Sequence, residues 1–260
     1  MNDNSITPII LASGSPRRRE LLSLLGLSFD VIPSDADESF PAEWEPEQIA
    51  TTLALRKAEA VLPLAGERNS VILGSDTIVV LEGRVLGKPN GPEEARDMLF
   101  SLQGRSHKVF TGVACIKGGH GVNRDIFRQV ELAEAAWVKM TAPCSAAPDE
   151  PGIDDREAAG AVRLGGIGQY RVVSESPNGE PAVIFGYTES RVTFRPMSAG
   201  EIDGYIKTGE PLDKAGAYGV QGMGSLFIEK IEGDFYSIMG LPLNLLYRML
   251  LKFGINPLKA

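Results

Sequence analysis

The stretch Val71 to Leu81 reads V-I-L-G-S-D-T-I-V-V-L, and a chain that contains it must build a sheet deep enough to bury it. Apolar residues fill nearly every position, so the stretch is expected to be a strand covered on both faces. Asp76 interrupts it. A carboxylate inside such a strand is costly unless it is paired, bound to a metal or turned into a cleft. Asp76 is therefore the first candidate for a catalytic or metal-binding group, with a water-facing aspartate at a strand edge or bulge as the plainer alternative.

Elements on either side fall into alternation. Pro8 to Ala12 reads as a short buried strand. A helix is expected directly after it, with Ser15 as N-cap, Pro16 as first residue, Leu21, Leu22 and Leu25 as its apolar face and Gly26 as its end. Phe29 to Pro33 reads as a second strand and Pro46 to Leu62 as a helix. Glu82-Gly83 marks a hairpin into Arg84 to Leu86, Pro92 opens a helix that Gly104 ends, and Val109 to Ile116 is a strand. Ser198 and Glu201 have capping-box spacing ahead of Ile202 to Lys207. Leu226 to Ile231 and Tyr236 to Met239 read as strands, and Leu243 to Lys252 as a last helix. This order argues an α/β fold. Residues 118–188 differ: Cys144 to Gly168 is rich in Ala, Gly, Pro and acidic residues, between better patterned stretches at Val130 to Met140 and Ala182 to Phe194.

Several stretches carry chemistry. Ser13-Gly14-Ser15-Pro16-Arg17-Arg18 lies where a strand hands over to a helix, so free N–H groups, two hydroxyls and two guanidinium groups converge on one spot suited to phosphate oxygens. The same residues would equally make a well-capped helix with a solvated basic turn. Lys57 shares the stripe Ile49, Leu53, Lys57 and Val61, which puts an ammonium on an apolar face, either reaching a cleft or snorkelling at the rim of the core. Lys88-Pro89 follows the hairpin, and Asp37-Glu38 offers oxygen ligands of the kind Mg²⁺ takes. Glu210 to Gly222 (E-P-L-D-K-A-G-A-Y-G-V-Q-G) implies tight turns or close approach of a ligand, with Tyr218 able to stack on a base and Gln221 able to pair with a base edge, or else a purely structural Gly-rich loop. A GxxxxGK[ST] loop, a GxGxxG fingerprint and an HExxH motif are absent from the sequence, and His107 and His120 do not make a zinc site.

Charge narrows the class of ligand. The chain has 260 residues and a net charge of -8, which by itself need only aid solubility; with Arg17-Arg18-Arg19 as the one basic focus, it suits a small anion better than nucleic acid. No apolar run approaches the roughly 20 residues of a membrane span. Met1 to Ile6 lacks the marks of a secretory signal, and the two cysteines, Cys115 and Cys144, form no paired motif, so a cytoplasmic location is expected.

Seven stretches taken in order, LASGSPRRRELL, ILGSDTIVV, GKP, HKVFTGVA, VTFRPMS, EPLDKAGAYGVQG and GLPLNLL, resemble the Maf family of nucleotide pyrophosphatases. The resemblance implies an α/β fold like that of inosine triphosphate pyrophosphatases, an elongated mixed sheet with two lobes around a central cleft. It implies metal-dependent hydrolysis, with Mg²⁺ or Mn²⁺, of a nucleoside triphosphate to the monophosphate and pyrophosphate. Asp76 falls on the family's general base, with Ser13, Arg18, Glu38, Lys57 and Lys88 on other cleft positions; Asp76 or Glu38 would hold the metal. Arg17, Thr77 and Gln221 match the branch that cleaves dTTP and UTP. Branches acting on 7-methylguanosine triphosphate or a range of modified nucleotides are the alternatives, as is a nucleotide-binding regulator of septum formation with little catalysis. Family members are shorter, so the chain reads as one Maf-like domain, 1–260, interrupted by an insertion at about 121–185; a homodimer is a further expectation of the resemblance.

Overall fold

The computed structural model describes residues 7–66, 69–119, 161–165, 168–175 and 181–259. Its strands, in chain order, are β1 (Ile9–Leu11), β2 (Phe29–Val31), β3 (Val71–Leu81), β4 (Arg84–Leu86), β5 (Ser106–Lys117), β6 (Ala161–Arg163), β7 (Gln169–Glu175), β8 (Pro181–Phe194) and β9 (Ile228–Glu232). Its helices are α1 (Pro16–Ser23), α2 (Pro46–Ala65), α3 (Pro92–Leu102), α4 (Ala199–Lys207), α5 (Phe235–Met239) and α6 (Leu243–Lys252). The strands form one mixed sheet in the order β2-β1-β3-β5-β8-β7-β6, with β4 added to β3 and β9 to β8. β1 runs parallel to β2 and β3, and the β3–β5 and β5–β8 pairs are long and antiparallel.

The alternation of β3 decides what each face of the sheet carries. Val71, Leu73, Val79 and Leu81 point to one face; Ile72, Ile78 and Val80 point to the other, where α2 lies. On the α2 face, one apolar cluster holds Ala54, Ala58, Ile72, Ala114 and Val183, and a second holds Ile49, Leu53, Ile78, Val80 and Phe110. Between them α2 touches the sheet backbone to backbone, over Gly74 and Gly112. A Cβ on Gly74 would stand 2.0 Å from the Ala54 carbonyl oxygen, and one on Gly112 would stand 2.0 Å from that of Ala50. No side chain fits there. The opposite face packs α1 and α6 at one end (Leu21, Leu22, Leu245, Leu246) and α3 and α4 at the other (Leu99, Leu102, Ile202, Tyr205).

Most local signals match their elements. Ser15 accepts a hydrogen bond from the Arg18 N–H at the start of α1, and Ser198 and Glu201 form both halves of the capping box on α4. The segment Tyr236 to Met239 is a correction: it is helical, within α5, and not a strand. Its F-Y-S-I-M composition suits a strand, but the Asp234 carboxylate caps the Tyr236 N–H and Gly240, at φ 120°, closes the turn. The strand expected from Leu226 starts at Ile228, after a 3₁₀ turn over Gly222–Phe227. Residues 120–160, with Val130 to Met140, Cys144 and most of the segment read as an insertion, lie outside the described residues. The limit read at Phe185 falls inside β8, whose pairing with β5 runs unbroken from Thr193 to Val183. Among the described residues no helix is long and apolar enough to cross a membrane.

The contact at Gly74 and Gly112 yields a test. Gly74→Ala or Gly112→Ala forces α2 off the sheet, with an expected loss of about 3 kcal/mol or more of stability, read by denaturant unfolding. An unchanged midpoint in both variants would mean that helix and sheet do not meet in this way.

Candidate active site

α2 carries Lys57 over the sheet to the one carboxylate on that face of β3. Lys57 and Asp76 are 9% and 8% exposed, and the ammonium donates to Asp76 Oδ1 at 2.5 Å. The same Nζ lies 2.7 Å from Glu38 Oε1, which arrives from the loop between β2 and α2. One cation thus holds one oxygen of each carboxylate. Losing such a buried partner typically costs roughly 3–5 kcal/mol, because the remaining charge stays behind. Lys88, after the β3–β4 hairpin, approaches Glu38 Oε2 at 3.9 Å.

The loop that brings Glu38 is fixed by the neighbour of Lys57. Arg56 donates to the Ser39 carbonyl at 2.6 Å and stacks over Trp44, with its guanidinium carbon 5.7 Å from the ring centre. Asp37 accepts from the Ser39 N–H and hydroxyl, which tightens the turn beside Glu38.

Ser75 and Thr77 occupy the other face of β3, in the gap between the two apolar clusters there. The Ser75 hydroxyl contacts the Gly112 and Gly240 carbonyl oxygens, each at 2.9 Å. Thr77 Oγ1 lies 3.0 Å from Thr111 Oγ1, and Thr111 donates to the Ser237 carbonyl at 2.7 Å. Arg18 reaches the same junction: its Nε donates to the Gly240 carbonyl at 2.9 Å, and a terminal nitrogen donates to Ser13 Oγ at 3.3 Å. Ser13 in turn accepts from the Ser15 N–H. Burial pulls the Arg18 guanidinium below its ordinary pKa, with Asp76 and Glu38 opposing that and Arg17 adding to it. Arg17 lies 3.7 Å from Asp213 in the loop after α4.

These residues meet in a single cleft of about 610 Å³. Ser13, Arg17, Arg18, Glu38, Lys57, Asp76, Thr77, Lys88 and Gln221, all singled out in the sequence, line it. Tyr218 lines it too, but not as an exposed stacking platform. Its ring is 5% exposed, edge-on to Phe194, and its hydroxyl lies 2.7 Å from His107 Nε2, so it forms part of the floor. The His107 imidazole is buried, which pushes its pKa down to about 4 and keeps it neutral. Phe40 also lines the cleft and carries no sequence signal of its own, and Gly240, the first residue of the GLPLNLL stretch, lines it too.

Few side chains here could hold a divalent cation. No group of three or more His, Cys, Asp or Glu side chains able to hold a metal occurs among the described residues. Asp76 and Glu38 face one cavity with Oδ2 and Oε2 outside the Lys57 contacts. Two carboxylates suit Mg²⁺ or Mn²⁺ that completes its shell with water and substrate phosphates, rather than a cage built by the protein alone.

A family model described as Maf-like protein matches residues 8–187 and 170–253 of this chain. A dTTP/UTP pyrophosphatase of Bacillus cereus is 39% identical over 250 residues, which cover 95% of this chain and 96% of that protein. The proteins of the same name from Bacillus thuringiensis subsp. konkukian and Bacillus anthracis are 38% identical with the same coverage.

Glu38 supplies a pH test. Burial raises its pKa, but the hydrogen bond and charge of Lys57, with Lys88 and Arg18, outweigh that, and the net displacement is below 4.5. A depressed carboxyl contributes stability that is present above its unfolded pKa and is lost as pH falls through the folded one. Lys57→Met removes the main partner, so the Glu38 carboxyl should titrate at higher pH in the variant, as followed by carbon-detected NMR. An unmoved titration would show that the ammonium does not hold Glu38 in solution.

Proposed function

The chain belongs to the Maf-like protein family, and on that premise we propose that it is a nucleoside triphosphate pyrophosphatase acting on dTTP and UTP. The observation that carries the proposal is the buried Asp76 held by Lys57 inside a cleft otherwise rich in cations. A site that only bound an anion would gain nothing from two carboxylates. A hydrolase needs one to orient or deprotonate water.

In the proposed reaction the triphosphate lies over the start of α1. Ser13, Arg18 and the free N–H groups of that turn take its phosphate oxygens. Asp76 orients a water and receives its proton as the water oxygen bonds to the α phosphorus. The bond from that phosphorus to the α–β bridging oxygen breaks, and the bridging oxygen leaves on pyrophosphate. Lys57 fixes the Asp76 carboxylate by its hydrogen bond, and Lys88, beside Glu38, would stabilise charge that grows on the departing phosphates. Asp76 and Glu38 would hold Mg²⁺ or Mn²⁺, which supplies charge neutralisation and polarisation of phosphate oxygens. Arg17, Thr77 and Gln221 are proposed to select the pyrimidine. The substrate is a free nucleotide of the cytoplasm, not a nucleic acid, in keeping with a net charge of -8.

Pyrophosphate release should be strong from dTTP and UTP and weak from purine triphosphates. Asp76→Asn should lower kcat by about 10²–10⁴-fold while nucleotide still binds. Release confined to 7-methylguanosine triphosphate would keep the chemistry and remove the pyrimidine assignment. Near-normal turnover by Asp76→Asn would remove Asp76 as the base.

A further inference from the structure

The loop that brings Gln221 to the cleft is closed by a carboxylate that does not line the cleft. Glu210 Oε1 accepts from the Tyr205 hydroxyl at 2.9 Å and from the Gly224 N–H at 3.2 Å, and Oε2 accepts from the Met223 N–H at 3.0 Å. The Tyr205 hydroxyl also accepts from the Gly219 N–H at 3.3 Å. Both anchor points, Gly219 and Met223-Gly224, bracket Gln221 in the chain. Tyr205 is itself fixed: its ring is 2% exposed and edge-on to Phe227 in the cluster beneath α3 and α4.

The glycines of this loop make room for the clasp. A Cβ on Gly222, where φ is +68°, would stand 2.8 Å from Glu210 Oε2. One on Gly224 would stand 2.6 Å from the Tyr205 hydroxyl oxygen and 2.4 Å from the Gly219 carbonyl oxygen. Lys214 ties the near end, donating to the Glu210 carbonyl and to Asp213 Oδ1, and Asp213 is the residue that meets Arg17. Two of the three residues assigned to base selection therefore depend on this one segment.

We infer that Tyr205 and Glu210 are positioning residues that set the base selectivity of the cleft by holding the 210–224 loop, and with it Gln221 and the Asp213–Arg17 contact. The inference rests on the reading of Gln221 and Arg17 as base-selecting residues. Burial, with the Glu210 carboxylate adding to it, raises the Tyr205 phenol pKa, so the hydroxyl stays protonated and keeps its donor role. Neither residue is expected to take part in the chemical step.

The test compares wild type, Tyr205→Phe and Glu210→Gln for binding of α,β-imido analogues of dTTP and dGTP in the presence of Mg²⁺ by calorimetry, with dTTP turnover measured alongside. Each variant should lose about tenfold of the preference for the thymine analogue, the scale of one or two hydrogen bonds that order a loop. KM for dTTP should rise while kcat stays within a small factor. An unchanged preference with a lowered Tm would make the clasp purely structural and overturn the inference, as would equal loss of affinity for both analogues or a wild type without preference. If Tyr205→Phe does not fold, Glu210→Gln carries the test. Absence of dTTP turnover by wild type would sink the pyrophosphatase reading, and the binding preference would still decide the inference.

Discussion

A buried ammonium between two carboxylates organises this molecule, and it exists only because a helix can lie on the sheet without side chains between them. Gly74 and Gly112 are diagonal neighbours on β3 and β5, and the Ala54 and Ala50 carbonyls of α2 rest on them. With α2 that close, Lys57 reaches Asp76 directly. A side chain at either glycine would lift α2 from the sheet and draw Lys57 away from Asp76. On the proposed mechanism, the glycines would thus act on the chemistry without touching it. They also explain how Asp76 is tolerated in an apolar strand, since its desolvation is offset by an equally buried partner.

The other face of the same strand solves a different problem. Ser75 and Thr77 point away from α2, into the gap between two apolar clusters, where an unmatched hydroxyl would be costly. The segment from Asp234 to Gly240 fills that gap with backbone carbonyls: Ser237 takes the Thr111 hydroxyl, and Gly240 takes the Ser75 hydroxyl together with Arg18 Nε. Arg18 is therefore positioned by a turn more than two hundred residues away in the chain, through an oxygen that also locks β3. Gly240 suits the place because its φ of 120° is one that L side chains rarely adopt, and a Cβ would stand 3.4 Å from Arg18 Nε.

What the sequence made legible follows from the range of each interaction. The Glu82-Gly83 turn and the caps at Ser15 and Ser198 depend on neighbours within a few residues, and Val71–Leu81, although its pairing partners are distant, declares itself by its apolar run. Lys57 and Asp76 are visible as charges on apolar patterns, although the pattern does not say that they face each other. Tyr236–Met239 looks like a strand because aromatic and aliphatic residues dominate it, while the deciding groups, Asp234 and Gly240, flank it. The Glu210 clasp is not legible, since an acidic residue before a proline reads as a solvated loop until the fold brings Met223 and Gly224 to it. Tyr218 is legible as an aromatic near the site but not as a buried one, because its burial depends on Phe194 and His107 from other strands.

The charge of the cleft explains why carboxylates and cations have to be mixed within it. Arg17, Arg18, Lys57, Lys88 and Lys214 face Glu38, Asp76 and Asp213, a local excess of two positive charges in a chain whose net charge is -8. A nucleoside triphosphate carries about four negative charges, since its terminal phosphate contributes up to about two and each inner phosphate one. The protein alone would balance about half of that. One divalent cation entering with the nucleotide would supply the rest, and it would meet Asp76 and Glu38, the carboxylates already gathered around Lys57. Free anions would then hold the site less well than their metal complexes. On the proposed chemistry, the two acidic groups that weaken phosphate binding would also make the site respond to the metal-bound triphosphate over a bare one.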